Sequence, residues 1–431
     1  MKRLLTVIAG LAVLGVLGFF AMAWRPAIAP IRPSPPGSFA PDLVAHGEAL
    51  AAGGFCAECH TAKGGQKFAG GYPMHTPFGV LYSTNITPDP KTGIGAWSEA
   101  AFARSMHEGV ARDGSLLFPA FPFDHFTKLS DDDVKALYAY FMTRPPIRAP
   151  AQANTIPFPL NIRYLQAGWK LLFFRPGRFE PDPNKSAEWN RGAYLAEGLS
   201  HCGACHTPRN LLGAEKSGEP YAGAVVDNWI APALTAANPS PAPWTEDELH
   251  RYLGSGVSVL HGIAAGPMSP VPHGLSALPE SDVRAIATYF ADVDHAAERA
   301  ALVGAAVARA MSYAAAPGAA PESDPDARFY TAACASCHYN SGAPLAVRPD
   351  LALNSAVNLS DPTNLIQVMI GGVTAGEGVP GVVMPSYAHA FSDADIARIA
   401  AYLRRTRTSL PPWPDLDAKI ASIRQQASAT Q

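Results

Sequence analysis

Six cysteines fall into three pairs of one spacing, and a histidine follows each pair directly: Cys56-Ala-Glu-Cys59-His60, Cys202-Gly-Ala-Cys205-His206 and Cys334-Ala-Ser-Cys337-His338. Two thiols separated by two residues can each form a thioether with a vinyl group of one porphyrin, while the adjoining histidine is carried under the ring to ligate its iron. That is the attachment pattern of a c-type haem. One such pentapeptide alone would also suit half a zinc site or a dithiol redox pair. Three of them use all six cysteines and leave no thiol for a disulfide or a further metal centre. The expectation is three covalently bound haems c, with His60, His206 and His338 as proximal iron ligands.

A haem that only carries electrons usually has a methionine sulfur on its far side, which raises its potential. The loop before the last helix of each haem module is where it belongs. Met268 stands there in Gly266-Pro-Met-Ser-Pro270, and Met384 stands there in Val383-Met-Pro-Ser386. At the equivalent place the first module has Phe121, in Pro119-Ala-Phe-Pro-Phe-Asp-His125. Met106 aligns with Leu253 and Met369, in modules that already have their methionine, and so reads as core. Met74 aligns loosely with Val226 and reads the same way. His125 lies in the right loop and would give bis-histidine ligation; the alternatives are a ligand from elsewhere or an open iron.

The elements that must position these groups repeat with the motifs. After each motif come a loop, a helix ending in glycine-valine, a second loop and a last helix. The last helices share one apolar face at helical spacing: Val134, Leu137, Tyr140 and Phe141; Val283, Ile286, Tyr289 and Phe290; Ile396, Ile399, Tyr402 and Leu403. Ser130 with Asp133, and Ser392 with Asp395, have the form of capping boxes. The fold expected is all-α, with three tandem cytochrome c domains at 41–144, 185–294 and 325–410. A linker with an amphipathic helix fills 145–184, an Ala-rich surface helix and linker fill 295–324, and a tail fills 411–431 and wraps a neighbouring domain. The helix at 161–174 either packs between domains or lies on a membrane surface, which its aromatic and basic residues suit.

A chain of 431 residues accommodates three domains, and 41 prolines with 37 glycines fit short helices joined by stiffened loops. A net charge of −3 provides no polycationic face, so nucleic acid is not an expected partner. Residues 1–24 hold an apolar run from Leu4 to Ala23, preceded by Lys2 and Arg3 and followed by Trp24. At about 20 residues the run exceeds a signal peptide's apolar region and is enough to span a bilayer. It reads as an uncleaved anchor, with a cleaved signal segment as the alternative. The positive end stays inside, which places the bulk of the chain on the periplasmic side of the bacterial inner membrane. Residues 25–40, rich in proline, read as an extended stalk.

The triple motif, Thr76-Pro-Phe-Gly-Val-Leu-Tyr-Ser-Thr-Asn-Ile-Thr-Pro-Asp89, Thr92-Gly-Ile-Gly95 and Trp97-Ser-Glu99 resemble the triheme cytochrome c subunits of membrane-bound bacterial alcohol, aldehyde and gluconate dehydrogenases. The resemblance covers nearly the whole chain after about residue 40. Trp24-Arg-Pro-Ala-Ile-Ala-Pro30, Pro119-Ala-Phe-Pro-Phe-Asp-His-Phe126 and Leu260-His-Gly-Ile-Ala-Ala-Gly-Pro-Met268 are most similar to the branch paired with molybdopterin aldehyde dehydrogenases. The alcohol-oxidising branch usually has methionine where Phe121 stands. The resemblance implies an electron-transfer subunit without substrate chemistry of its own. Its partners would be a molybdopterin catalytic subunit with an iron–sulfur subunit on one side and ubiquinone on the other. The alternatives are a multihaem enzyme with an open, peroxidase-like haem in the first domain, and a cytochrome subunit of a terminal oxidase.

Overall fold

The apolar run at the start becomes α1 (Lys2–Ala23), a helix whose stretch Arg3–Ala21 is long and apolar enough to cross a membrane. In the computed structural model, residues 1–33, 35, 37–315, 324–338, 350–373 and 384–429 are described. Val383 and most of the proline-rich linker before the third motif lie outside them. The fold is mostly helical. Contacts divide it into two units, one made of Met1–Asp182, Tyr194–His201 and Asn210–Ala214, the other of Pro183–Ala193, Cys202–Arg209 and Glu215–Gln431.

In the first unit, α2 (Pro41–Gly53) leads into α3 (Cys56–His60), and a hairpin of β1 (Pro73–Thr76) and β2 (Gly79–Tyr82) follows. Then come α4 (Glu99–Glu108), α5 (Phe123–Phe126), α6 (Asp131–Met142) and α7 (Gln166–Phe173). The predicted face of α6 is wholly buried. Ser130 caps α6 through the Asp133 N–H, but the box is not reciprocal. The Asp133 carboxylate is taken instead by His46 at 2.8 Å and by the Tyr194 hydroxyl. Residues 25–33 of the proline-rich segment carry no regular secondary structure and are pinned to the domain: Ile28 N–H donates to the Arg112 carbonyl at 2.8 Å and Ile31 N–H to the Ala96 carbonyl at 3.0 Å.

α2 crosses α6 at Gly47, where a Cβ would lie 2.0 Å from the Ala136 carbonyl oxygen and 2.8 Å from Tyr140 Cβ. Only a hydrogen fits between these backbones. Gly47→Ala is therefore expected to destabilise the haem-loaded protein by about 2 kcal/mol, as overpacking does. Thermal melts of wild type and variant at equal haem content would measure it.

The second unit repeats the plan. It contains α8 (Ala187–Tyr194, all but its last residue), α9 (Gly203–His206), a hairpin of β3 (Ala224–Val226) and β4 (Trp229–Ala231), and α10 (Glu246–Ser255). A two-residue hairpin of β5 (Val257–Ser258) and β6 (Gly262–Ile263) precedes α11 (Pro270–Leu275) and α12 (Glu280–Val293). α8 meets α12 at Gly192, where a Cβ would lie 1.9 Å from the Ala285 carbonyl oxygen, and Arg191 clamps Asp282 at 2.6 and 2.9 Å.

After α13 (Ala296–Arg299), α14 (Leu302–Ala315) does not behave as a plain surface helix. Its Ala306 and Ala310 are buried with Leu353, because their small side chains permit close approach. α15 (Pro325–Ala333), α16 (Ala335–His338), α17 (Ser355–Asn358), α18 (Thr363–Gly371) and α19 (Asp393–Arg407) complete the third motif's surroundings. Ser392 and Asp395 form the full reciprocal box at the start of α19. The tail folds as α20 (Leu416–Ala429) onto this same core instead of wrapping another domain, burying Trp413, Ile420 and Ile423. Asn364 of α18 bonds both backbone groups of Ile230, each at 2.8 Å, tying the second and third motif regions together.

Candidate haem sites

Each motif folds as a short helical turn, which sets its two cysteines on neighbouring positions and the histidine beside the second. In the first, the His60 Nδ1–H donates to the Thr84 carbonyl at 2.7 Å. In the second, the His206 Nδ1–H donates to the Pro232 carbonyl, also at 2.7 Å. A carbonyl can only accept, so the proton sits on Nδ1 and the Nε2 lone pair is left for a metal. Burial holds both imidazoles below their ordinary pKa, opposed by those carbonyls, and a neutral ring is what an iron ligand requires.

The surrounding bonds are duplicated as well. The His60 carbonyl accepts from Gly70 N–H and the His206 carbonyl from Gly223 N–H, both at 2.8 Å. Thr61 Oγ1 accepts from Phe68 N–H and Thr207 Oγ1 from Tyr221 N–H. Phe68 stands edge-on to Phe141 at 5.2 Å, and Tyr221 edge-on to Phe290 at 5.2 Å. The stretch around Thr84-Asn-Ile-Thr87 has a structural purpose here. Asn85 bonds Thr87, Thr92 and the Ile147 carbonyl, and this network fixes the carbonyl that orients His60. The two orienting carbonyls carry no side-chain signature in the sequence; the polar Asn-Ile-Thr turn after β2 stands beside the first, and nothing comparable stands beside Pro232.

Burial, with the neighbouring thiol second, pushes Cys56 and Cys202 up to about 12 and Cys334 up to about 11. Zinc sites and catalytic dithiols need stabilised thiolates and depressed pKa values. These surroundings do the opposite and suit thiols that end as neutral thioethers. The residues therefore fit covalent haem c. In the third motif Cys334, Cys337 and His338 stand on the same turn, packed where α15 meets α19, and Tyr330 donates to the His338 carbonyl at 3.2 Å.

Met268 ends a 3₁₀ turn, Gly266–Met268, closed by the Ser269 N–H to Gly266 carbonyl bond at 2.9 Å. Gly266 is left-handed, φ +57°, with Trp229 of β4 against it; a Cβ there would come within 2.5 Å of the indole. The hairpin that orients His206 through Pro232 thus also holds the Met268 loop, bringing both candidate ligands of the second haem to one support. Met384 pairs with Val373 through two backbone bonds, at 2.9 and 3.0 Å, and packs against the third core. Met106 is buried in the core, as are Leu253 and Met369.

In the first unit Phe121 packs on Phe126, with ring centroids 5.4 Å apart. His125 is buried and its Nδ1–H donates to the Glu197 carbonyl at 2.8 Å, the same bond that orients His60 and His206. His125 lies 6.2 Å from the His201 ring, which Phe55, the residue before Cys56, meets at 5.9 Å.

Comparisons with known proteins agree with this chemistry. The model of the cytochrome c family matches residues 44–145 and 327–407. The chain is 47% identical over 417 residues to one of the subunits of nicotinate dehydrogenase from Pseudomonas putida; the match covers 96% of this chain and 34% of that protein, so the chain spans about a third of that relative's length. It is 36% identical over 396 residues to the fructose dehydrogenase cytochrome subunit of Gluconobacter japonicus, covering 87% of this chain and 81% of that one. With the alcohol dehydrogenase (quinone) cytochrome c subunit of Komagataeibacter europaeus, identity is 35% over 397 residues, covering 89% and 84%.

Proposed function

Because the chain belongs to the cytochrome c subunits of dehydrogenase complexes, we propose that it relays electrons from a catalytic dehydrogenase subunit to ubiquinone through three covalent haems c. The observation that carries this reading is the duplicated proximal site, with His60 and His206 each held by one carbonyl at 2.7 Å. Bound haem supplies a one-electron iron couple; the chain attaches it, keeps a neutral imidazole beneath it and sets its potential by what it offers on the other side. The residues proposed for attachment are Cys56, Cys59, Cys202, Cys205, Cys334 and Cys337, in three domains spanning 41–144, 185–294 and 325–410. His60, His206 and His338 are the proximal ligands, Met268 and Met384 the distal ones, and His125 the distal ligand of the first haem.

The catalytic partner proposed is a molybdopterin aldehyde-oxidising subunit with an iron–sulfur subunit, on the motifs around Trp24, Phe121 and Leu260. The name of the Pseudomonas putida relative adds nicotinate as a second substrate to try. Gentle solubilisation, purification through this chain and mass spectrometry with metal analysis test the pairing. Molybdenum and an iron–sulfur subunit would support it. A flavin or pyrroloquinoline quinone subunit would move the substrate to sugar acids or alcohols, and copper–haem subunits would make the chain a carrier for an oxidase.

α1 serves as the anchor, with the domains on the periplasmic side. Deleting residues 1–24 is expected to move most of the haem-loaded protein into the soluble fraction, as read by haem absorbance after centrifugation. Persistence at the membrane would assign attachment to α7, whose Leu171 and Leu172 are exposed. A second reading, an enzyme with an open haem in the first domain, is favoured by Phe121 standing where the other domains have methionine. Rapid stoichiometric binding of carbon monoxide at one reduced haem would support it.

A further inference from the structure

The two carbonyls that orient the proximal histidines are each steadied from outside their own module. His206 donates to the Pro232 carbonyl, and two residues before Pro232 stands Ile230, the middle residue of β4. β4 is three residues long and pairs only with β3, in a two-stranded sheet. Asn364 takes up both backbone groups of Ile230: its Oδ1 accepts from the N–H and its Nδ2–H donates to the carbonyl, each at 2.8 Å. A side-chain amide offers an acceptor and a donor side by side, as a peptide does, so Asn364 stands in for a residue of a third strand. One turn further along α18, Gln367 Nε2–H donates to the Asn228 carbonyl in the β3–β4 turn at 3.3 Å. α18 in turn buries Ile366 and Met369 in the core around the third motif. The third module therefore supplies the edge that fixes the second module's hairpin.

The first motif has the same device, supplied by another element. His60 donates to the Thr84 carbonyl, and two residues before Thr84 stands Tyr82, the last residue of β2. Tyr82 N–H donates to Asn154 Oδ1 at 2.9 Å. Thr155 holds Val80 on the same strand, its Oγ1 accepting from the Val80 N–H and its own N–H donating to the Val80 carbonyl, both at 2.9 Å. Asn154 and Thr155 belong to the linker at 145–184. In both sites an asparagine from beyond the module's last helix grips the residue two before the carbonyl that fixes the imidazole.

A carbonyl that accepts from Nδ1–H makes the ring a stronger electron donor at its other nitrogen. That effect lasts only while the carbonyl stays within hydrogen-bond distance and in line. The β3–β4 hairpin has little pairing of its own to hold it there. Its two-residue turn, Asp227-Asn228, is left-handed at both positions, φ +47° and +62°, which directs the strands but adds no contact with the third module beyond the one Gln367 makes.

We propose that Asn364 and Asn154 are positioning residues for His206 and His60, each fixing the strand whose following carbonyl sets the electron-donating strength of its imidazole. The potential of the second haem then depends on a residue of the third module. The proposal rests on the reading that these motifs bind haem through these histidines, and adds what tunes them. With the asparagine gone the carbonyl loosens, the imidazole becomes a weaker donor, ferric iron is stabilised less and the potential rises.

The test is a spectroelectrochemical titration of the haem-loaded full chain in its native complex. Met268→His identifies the second haem's wave, Met384→His the third's, and the remaining wave is the first's. Asn364→Ala is expected to shift the second haem's reduction equilibrium about tenfold toward the ferrous form, about 59 mV for a one-electron couple, and to leave the other two waves in place. Asn154→Ala is expected to do the same to the first wave alone. Asn364→Gln, which keeps the amide donor and acceptor, is expected to return the second wave more than halfway. Three haems per chain in every variant, by pyridine haemochrome, establish that each is loaded and folded. Waves that stay put in both alanine variants overturn the proposal, and so does an equal shift of all three, which is general loosening. A fall of the second wave with loss of the methionine–iron absorption band places the effect on Met268, through Trp229 and Gly266, and overturns it as well. Each of these results leaves the haem reading standing. Fewer than three haems in the wild type, or no wave displaced by Met268→His, overturns both.

Discussion

Replacing Cys202 and Cys205 together with alanine is expected to lower bound haem from three per chain to two and to unfold the helices around the second motif. Around the second motif Tyr221 meets Tyr289 at 6.3 Å and Phe290 at 5.2 Å, and His206 is buried beside Cys205. A haem occupies roughly 500 Å³, and at about 24 cal/mol per Å³ of unfilled cavity its loss costs on the order of 10 kcal/mol, as much as a whole domain's stability. Pyridine haemochrome analysis against protein concentration gives the haem count, and limited proteolysis shows whether 185–294 has become accessible. An unchanged count would remove the motif's assigned role.

Replacing Met268 with histidine is expected to keep the second haem six-coordinate while lowering its potential by a few tenths of a volt, the scale on which axial ligands act. The substitution tests ligation because the turn that presents residue 268 is set by Gly266 lying against Trp229, not by the methionine side chain. Spectroelectrochemical titration should show one of three waves displaced and the other two in place. The same experiment with Met384→His should displace a different wave. If neither moves, both methionines are ordinary core residues and the distal ligands lie elsewhere.

Much of this arrangement is written locally, and that part was legible. The thioether spacing is a pentapeptide, and the three last helices show their inner faces as four apolar residues at helical spacing; all twelve are buried. The distal loops were placed by counting from those helices. What escaped depends on backbone or on distant pairs. The carbonyls of Thr84 and Pro232 orient the proximal histidines, but any residue has a carbonyl, so no side-chain type marks them. Gly47 and Gly192 look like ordinary glycines until the crossing helices are seen 2 Å from where a Cβ would be. The alanines of α14 read as surface because an alanine-rich helix has no contrast between faces, and only contact with Leu353 distinguishes Ala306 and Ala310.

The loop of Met268 rests, through Gly266, on Trp229 of the hairpin that leads to Pro232, the residue that orients His206. His125 is oriented by Glu197, 72 residues later, in a segment that returns to the first unit from beyond the linker. The bond to a carbonyl through Nδ1 is nevertheless the same one that His60 and His206 make, and it fixes the proton on the same nitrogen.

The central claim, that the chain relays electrons and performs no substrate chemistry itself, is tested most directly by watching the haem α-bands of the purified complex and of the isolated chain as candidate substrates are added under anaerobic conditions. An aldehyde, or another substrate of the co-purifying subunit, is expected to reduce all three haems in the complex and none in the isolated chain, and ubiquinone added afterwards is expected to reoxidise them. Turnover of any substrate by the isolated chain, with carbon monoxide or peroxide reacting at one haem, would contradict it.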